Sequence, residues 1–379
     1  MMTTIPDDTT RVRRFLAGLA PGGRIADLAP IIADRLAGRA LPRGVALEPL
    51  LRRLDAGSTL SFAEAEAVMC DLLPAVRPIR PVQLATDLRD VAPDADASRR
   101  LSAALEAVGL LHDGPAEIGT CVMVGDGLVM TTRHQATAVC EGLGLRRAAL
   151  RAGAAPEVRF ATVDGAPRAS LAVTGVAMLH PYWDMALLRV APGGPAPVAL
   201  SGTPRGAGGA VVLAGFPRFD PAHPFAAQCA TFGGAPGRLH LAPGALTGPA
   251  IIASHDRRVP ALTHDALPLG ATPGGALIDA ASGTLLGLQF ATHAFERSFC
   301  VPASALAADA RVVAAGVHLD GPALRGPTEW EPVWRQVDPE GATPAGPLGQ
   351  GDAAHLPHTL RRLLDVGAPV RRDADEPQD

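Results

Sequence analysis

Two hydrophobic periods divide this 379-residue chain, and one gives way to the other near Ile118. Up to about Val76, apolar residues recur three or four positions apart, as at Val12, Phe15 and Leu19, which is the spacing of amphipathic helices. Beyond Ile118, short apolar runs alternate with Gly, Pro and Asp, as strands alternate with turns. The pattern therefore predicts a small helical region followed by a larger all-β region.

The helical region is expected to hold about four short helices, the last of which has the clearest start. Ser61 and Glu64 form a capping-box pattern, in which each side chain bonds to an amide at the start of a helix, and Pro74 is expected to end that helix. Residues 1–92 are assigned to a helical adaptor domain. Residues 93–114 are assigned to a linker and a lead-in helix that carries Leu101, Leu105 and Val108.

The β region is assigned to residues 115–316, where apolar runs are short and turn residues are frequent. Many short strands without intervening helices predict an antiparallel sandwich or barrel. Residues 317–379 are rich in Gly, Pro and charge, which predicts a partly disordered C-terminal extension with one helix near residues 358–364. The predicted strands are 121–124, 128–132, 158–163, 186–190, 210–214, 276–278, 284–290 and 299–301.

Charge and cysteine usage narrow the functional classes. A net charge of −4 and a pI near 6.3 give no basic excess for binding nucleic acid or an anionic membrane. The N-terminus lacks the apolar core of a signal peptide and no segment reads as a membrane span, so a cytoplasmic protein is expected. The five cysteines include no CxxC pair and are expected to be free thiols. No cofactor and no metal site are predicted, because zinc-ligand spacing is missing among His180, His223, His240 and His293.

Three short motifs in the β region point to one kind of chemistry. In the first, a small-residue strand, a Gly-Asp-Gly turn and a threonine-rich strand end at His134. In the second, Asp184 precedes the apolar run Met-Ala-Leu-Leu, and in the third, residues 274–279 read Gly-Gly-Ala-Leu-Ile-Asp and follow Pro273. Over about residues 115–310, the chain resembles bacterial trypsin-like serine peptidases, whose corresponding motifs carry the histidine, aspartate and serine of the catalytic triad.

The resemblance implies a chymotrypsin-like double β-barrel after the helical domain, with His134 and Asp184 at the triad positions. The nucleophile is missing, because counting back from Gly274 puts Pro273 at the serine position. Proline supplies neither an oxygen nucleophile nor the amide hydrogen that the family uses in its oxyanion hole. The second oxyanion donor of the family falls at Ala271, whose methyl group restricts the loop. Hydrolysis is therefore not expected.

Three functions remain open at this point. The first is a pseudoprotease whose cleft binds a peptide or protein partner by strand addition without cleaving it. The N-terminal helices resemble the death-fold-like, effector-associated domains that bacteria join to trypsin-like domains in defence and cell-death signalling. That resemblance implies a signalling protein or an active protease, encoded nearby, as the partner. The second function is an active serine- or threonine-type endopeptidase with its nucleophile displaced to Thr272 or Ser282. The third is a regulatory subunit or substrate of a paralogous active protease.

Overall fold

The N-terminal part is a small helical bundle with a core of its own. The computed structural model describes residues 5–20, 22–76, 80–81, 88, 91–161, 167–218, 228–229, 232, 238–266, 272–293, 297–322 and 329–339. The apolar faces of the bundle meet in a buried cluster that runs from Val12 to Ala75 and is separate from the core of the β region. Its helices are α1 (Ile5–Leu19), α2 (Ala29–Leu36), α3 (Leu47–Asp55), α4 (Phe62–Ala67) and α5 (Leu73–Val76), with 3₁₀ turns at Ile25–Leu28 and Pro42–Gly44.

The predicted capping box is present at the start of α4. The Ser61 amide donates to Glu64 Oε2 over 2.8 Å, and the Glu64 amide donates to Ser61 Oγ over 3.3 Å. The prediction that Pro74 ends this helix is wrong, because the chain stays helical to the end of α5. A π turn at Val68–Leu72 precedes the proline. The wider turn gives the proline ring the room that a regular α-helix denies it.

The lead-in helix is shorter than predicted. Helix α6 (Ala95–Glu106) is capped by Asp94, whose Oδ1 accepts the Ala97 amide over 2.7 Å. Val108 was expected on this helix but is the first residue of strand β2 (Val108–Asp113). Ahead of the helix, the two-residue strand β1 (Arg80–Pro81) pairs with residues 240–241 of the β region.

The first part of the β region is a closed barrel in which six strands follow one another in the order β2-β3-β4-β9-β8-β7. Every neighbouring pair in this ring is antiparallel. A separate two-stranded sheet of β5 (Cys140–Glu141) and β6 (Ala149–Leu150) lies outside the ring. The ring strands after β2 are β3 (Ala116–Gly125), β4 (Leu128–Thr131), β7 (Pro156–Ala161), β8 (Pro167–Leu179) and β9 (Ala186–Val190), with helix α7 (Arg133–Ala136) after β4.

A second ring of six antiparallel strands follows, in the order β11-β12-β13-β16-β15-β14 with β14 returning to β11. The chain is therefore a helical domain followed by a chymotrypsin-like double β-barrel, and the predicted fold class is confirmed. Strand β10 (Leu200–Ser201) pairs in parallel with β15, and β17 (Leu319–Asp320) pairs in parallel with β10. The ring strands are β11 (Ala210–Gly215), β12 (His240–Ser254), β13 (Arg257–His264), β14 (Ala276–Asp279), β15 (Leu285–His293) and β16 (Arg297–Pro302).

Two of the longest strands, β12 and β13, were not predicted because they contain prolines. Pairing of β12 with β11 ends at Ala245, and pairing of β13 with β16 begins only at Leu262. Between these points the two strands pair with each other as a ribbon, with Pro249 opposite Leu262 and Pro260 opposite Ile251. A proline is tolerated on such a strand because the strand lacks a second neighbour that would need its amide. We call residues 248–261 the ribbon.

The C-terminal part returns to the barrels. Helices α8 (Ala303–Ala308), α9 (Ala310–Ala314) and α10 (Glu331–Val337) follow the last ring strand. Helix α10 was not predicted, and its Trp334 is buried in the same apolar core as both barrels. The predicted helix near residues 358–364 and the predicted tail lie outside the described residues, and the domain limits stay predictions. Within the described ranges, no helix has the length and apolar character needed to cross a membrane.

Candidate active site

His134 lies on the single turn of α7, directly after β4. The preceding residues fix that turn, since Thr131 Oγ1 donates to the Thr120 carbonyl over 2.7 Å and the Thr132 hydroxyl lies 3.1 Å from Gln135 Oε1. Gln135 in turn donates from Nε2 to the Ile118 carbonyl over 3.3 Å. The buried threonine-rich strand therefore sets where the helix begins, and the His134 ring stands at its start with 38% of the side chain exposed.

Asp184 reaches the His134 ring from the loop between β8 and β9. Its Oδ2 lies 2.6 Å from His134 Nδ1, and its Oδ1 accepts the His134 amide over 2.9 Å. Burial by itself would raise the pKa of this carboxyl, but bonds from His134 and His255 hold it well below its usual value. An ionised carboxylate accepts a hydrogen bond from Nδ1–H, so the neutral ring carries its proton on Nδ1 and Nε2 is the acceptor. This is the tautomer that a general base needs. The structure thus brings the two predicted triad positions together.

A second histidine on the same carboxylate was missed by the sequence analysis. His255 Nε2 lies 3.2 Å from Asp184 Oδ1. His255 and Asp256 form the tip of the ribbon with φ values of 45° and 62°, which is the left-handed geometry of a two-residue hairpin turn. The available signal was a His-Asp pair between two apolar runs, since these residue types are enriched at positive φ. The pair predicts a hairpin turn only if β12 and β13 on either side of it are identified as strands, and their prolines argue against that identification.

Arg133 adds a buried positive charge beside the dyad of His134 and Asp184. The residue is 4% exposed, and its Nη1 donates to the His180 carbonyl over 2.7 Å. Burial lowers the pKa of this guanidinium to about 10, against the opposing effect of Asp184. Arg133 is therefore charged at neutral pH and favours the ionised form of Asp184.

The turn at the predicted nucleophile position keeps its backbone bonds. The Gly275 amide donates to the Thr272 carbonyl over 3.0 Å, and the Gly274 amide donates to the Gln289 carbonyl of β15 over 2.7 Å. Gly274 has φ 75°, and a Cβ at this residue would collide with the Thr120 carbonyl oxygen. The turn is thus packed against β3, whose Thr120 carbonyl also accepts the Thr131 hydroxyl. Ala271 lies outside the described residues.

Thr272 and Ser282, the two alternative nucleophile candidates, are both engaged in packing or hydrogen bonding. Thr272 is 4% exposed, and its methyl group fills the space where a Cβ on Gly215 would stand. Ser282 lies in the β14–β15 turn with its Oγ 2.8 Å from Thr284 Oγ1. Neither observation favours a displaced nucleophile.

A buried histidine bonds to Gln289, the residue whose carbonyl accepts the Gly274 amide of the turn. His264 Nε2 lies 2.8 Å from Gln289 Oε1, and its Nδ1 accepts the Ala266 amide over 3.2 Å. Burial lowers the pKa of His264 to about 4, so the ring is neutral at physiological pH. Across the part of the chain that the structure describes, no group of three or more His, Cys, Asp or Glu side chains could hold a metal ion.

Comparison with known proteins agrees with this geometry. Residues 119–288 match the family model of the trypsin-like peptidase domain, and that match spans all three motifs. This match supports a trypsin-like serine peptidase domain in the β region. A search of curated proteins found no match.

Among solved structures, this domain is similar to several proteases at low identity. The inactive form of the Rv3671c protease of M. tuberculosis is 22% identical, with a TM-score of 0.39 over 59% of this chain and 95% of that one. Deg5 is 18% identical, with a TM-score of 0.40 over 57% and 93%. The HtrA-type protease AlgW, solved with a decapeptide, is 18% identical, with a TM-score of 0.38 over 54% and 63%. Scores at this level carry no argument about function.

Proposed function

We propose that the trypsin-like domain does not hydrolyse peptides and that the protein acts as a protein-binding or regulatory component. Pro273 carries this proposal. It stands at the nucleophile position by the sequence motif and follows the buried Thr272 in a turn whose backbone bonds are intact. A serine peptidase needs an oxygen that His134 can deprotonate at that residue, and proline has none.

The same turn is a poor oxyanion hole. Proline has no amide hydrogen, and the next amide, that of Gly274, is committed to the Gln289 carbonyl at 2.7 Å. Removing a single oxyanion donor typically costs about 10²–10³ in kcat. The site would therefore stay impaired even if an oxygen nucleophile were supplied from elsewhere.

The retained parts suit binding. The dyad keeps its hydrogen bonds, and β15 keeps an edge that a peptide could use. Among the described residues, backbone bonding on the β14 side of β15 ends at Gln289, whose carbonyl and amide bond to Gly274 and Gly275, whereas pairing with β16 on the other side continues to His293. Strand addition at the uncovered edge would hold a peptide by backbone bonds and needs no nucleophile.

The helical bundle would bind a second protein, in addition to the peptide held at the edge of β15. Among its described side chains, Ile31 and Phe62 are large apolar residues with exposed fractions of 43% and 51%. With the resemblance to effector-associated domains, this supports an adaptor role in bacterial defence or cell-death signalling, with a signalling protein or active protease encoded nearby as partner. A cytoplasmic location belongs to the same proposal and is supported by the five cysteines, which are free thiols.

Labelling with a fluorophosphonate probe tests the proposal directly. An active trypsin serves as the positive control, and near-UV circular dichroism shows that the sample is folded. We expect no covalent labelling of the wild-type protein. Labelling that disappears in Thr272→Ala or Ser282→Ala would instead identify an active, displaced nucleophile and overturn the proposal.

A further inference from the structure

His180 is completely buried and holds the loop that carries Asp184. Its Nδ1 accepts the amides of Tyr182 and Trp183, each over 3.0 Å. Those amides belong to the two residues directly before Asp184. Because Nδ1 accepts two amides, the ring proton of neutral His180 must lie on Nε2. The side chain thus acts as a fixed acceptor that shapes the loop.

The backbone of His180 bonds to the residue that precedes His134, the other member of the dyad. Its carbonyl accepts Arg133 Nη1 over 2.7 Å, and Arg133 directly precedes His134 on α7. His180 is therefore bonded next to both Asp184 and His134. A change in its position would be felt on both sides of the 2.6 Å bond between them.

On its far side, His180 is held by the C-terminal part of the chain. Its Nε2 lies 3.2 Å from Asp309 Oδ2, and the same oxygen accepts the Trp334 indole N–H over 3.1 Å. All three side chains have no exposed area. Burial alone would raise the pKa of Asp309, but the bonds from His180 and Trp334 hold it below its usual value. The three residues form a fully buried relay of polar groups.

The segment of residues 329–339 is fastened along its length. The Trp334 ring meets the His180 ring edge-on at 5.1 Å, and Arg311 lies 4.9 Å above the Trp334 ring while pairing with Glu331 at 2.8 and 3.0 Å. At its end, Asp338 Oδ2 accepts the amides of residues 145 and 146 over 2.9 and 3.2 Å. We call residues 329–339 the C-terminal clamp.

We propose that His180, Asp309 and Trp334 are positioning residues for the His134–Asp184 dyad and that the C-terminal clamp sets the geometry of that dyad. Binding of a partner to the clamp, or cleavage within it, would then alter the dyad without touching the cleft. The inference goes beyond the proposed function, because it concerns where the two side chains lie and not whether a peptide is bound or cut.

The proton on His134 Nδ1 provides the readout. A proton in an N–H···O bond of 2.6 Å gives a downfield proton resonance that reports the geometry of this bond. Trp334→Phe removes the indole N–H but keeps an aromatic ring against His180 and Arg311, whereas Trp334→Ala removes both. Asp309→Asn keeps the size of the side chain and removes its charge.

A matched control separates positioning from general destabilisation. Val158→Ala creates a cavity on β7, which lies across the ring from the β4–β9 pair that flanks the dyad. We expect the His134 resonance to shift upfield in Trp334→Phe and Asp309→Asn and to be lost in Trp334→Ala. In Val158→Ala, it should keep the wild-type position.

Two outcomes would overturn the inference. An unchanged resonance in Trp334→Phe and Asp309→Asn would mean that the clamp does not reach the dyad. An equal shift in Val158→Ala would mean that any loosening of the barrel disturbs it. Fluorophosphonate labelling plays no part in this test, so the inference can fail while the proposed function stands, and the reverse also holds.

Discussion

On the first-barrel side of the site, Asp184 is held by two histidines and a backbone amide, and the loop beneath it is held by His180. On the second-barrel side, the turn keeps its glycines and its bonds to Thr272 and Gln289. The residue at the predicted nucleophile position in this turn is Pro273. The first side is thus held together by side-chain bonds to Asp184, whereas the turn itself on the second side is held by backbone bonds. Under the proposed function, the dyad therefore has no oxygen at residue 273 to activate.

The largest effect is expected from Asp184→Asn, which tests how much the first side depends on one charge. The substitution leaves the buried Arg133 and two histidines without their shared carboxylate. Breaking a buried charge pair in this way typically costs about 3–5 kcal/mol. Urea unfolding would measure the loss, with Asp126→Asn as control because the Asp126 side chain is 90% exposed. Equal stability of the two variants would show that the dyad is not a structural centre.

Acid titration tests how much the buried His264, on the second-barrel side, contributes to the free energy of unfolding. The folded-state pKa of His264 is about 4, against an ordinary value of 6.5. Between these two pH values the unfolded chain binds a proton at His264 and the folded chain does not. The contribution of His264 to the free energy of unfolding is therefore fully present above pH 6.5 and is lost as the pH falls toward 4. The expected loss from this residue is about 3 kcal/mol.

Two variants isolate this contribution of His264. His264→Gln keeps a donor for Gln289 but does not titrate, so it should flatten the dependence of the free energy of unfolding on pH. His318→Gln is the matched control, because that side chain is 46% exposed. A wild-type slope in His264→Gln would show that other groups cause the acid loss.

A smaller effect is expected from His255→Ala, which tests whether the second barrel takes part in holding the dyad. It removes one bond to Asp184 from a side chain that is 21% exposed. We expect a loss of about 1 kcal/mol in the free energy of unfolding. His255→Gln, which keeps an N–H donor, should recover part of it. If both variants match the wild type, the ribbon tip contributes nothing to the dyad.

The smallest effect is expected from Pro273→Ser, which restores the missing oxygen to the second side. Because Gly274 remains bonded to Gln289 and Thr272 remains buried, we expect little or no hydrolysis of peptide libraries. His134→Ala in the same background is the control for any turnover that depends on the dyad. Robust turnover in the single variant would show that the turn is intact as a catalytic site and would erase the contrast between the two sides.

Local patterns were sufficient wherever an element is built from neighbouring residues. The strand at residues 186–190, the capping box of Ser61 and Glu64, and the positions of His134 and Asp184 at strand ends all depend on a few adjacent side chains. Patterns failed where a neighbour in space changes the rule. Pro249 and Pro260 are accepted on strands because the ribbon lacks a second pairing partner there, and Pro74 is accepted in a helix because a π turn precedes it.

The amino-acid sequence by itself determined what position 273 can contribute, since the absence of a side-chain oxygen and of an amide hydrogen in Pro273 is a covalent fact that no folding can change. Only the tertiary structure decided what surrounds the dyad. His255 and Trp334 are 71 and 150 residues away from Asp184 along the chain, and they contact its carboxylate and His180, respectively, only because barrel closure and the C-terminal clamp bring them there. Contacts over such separations depend on strand register and core packing, which residue spacing does not encode.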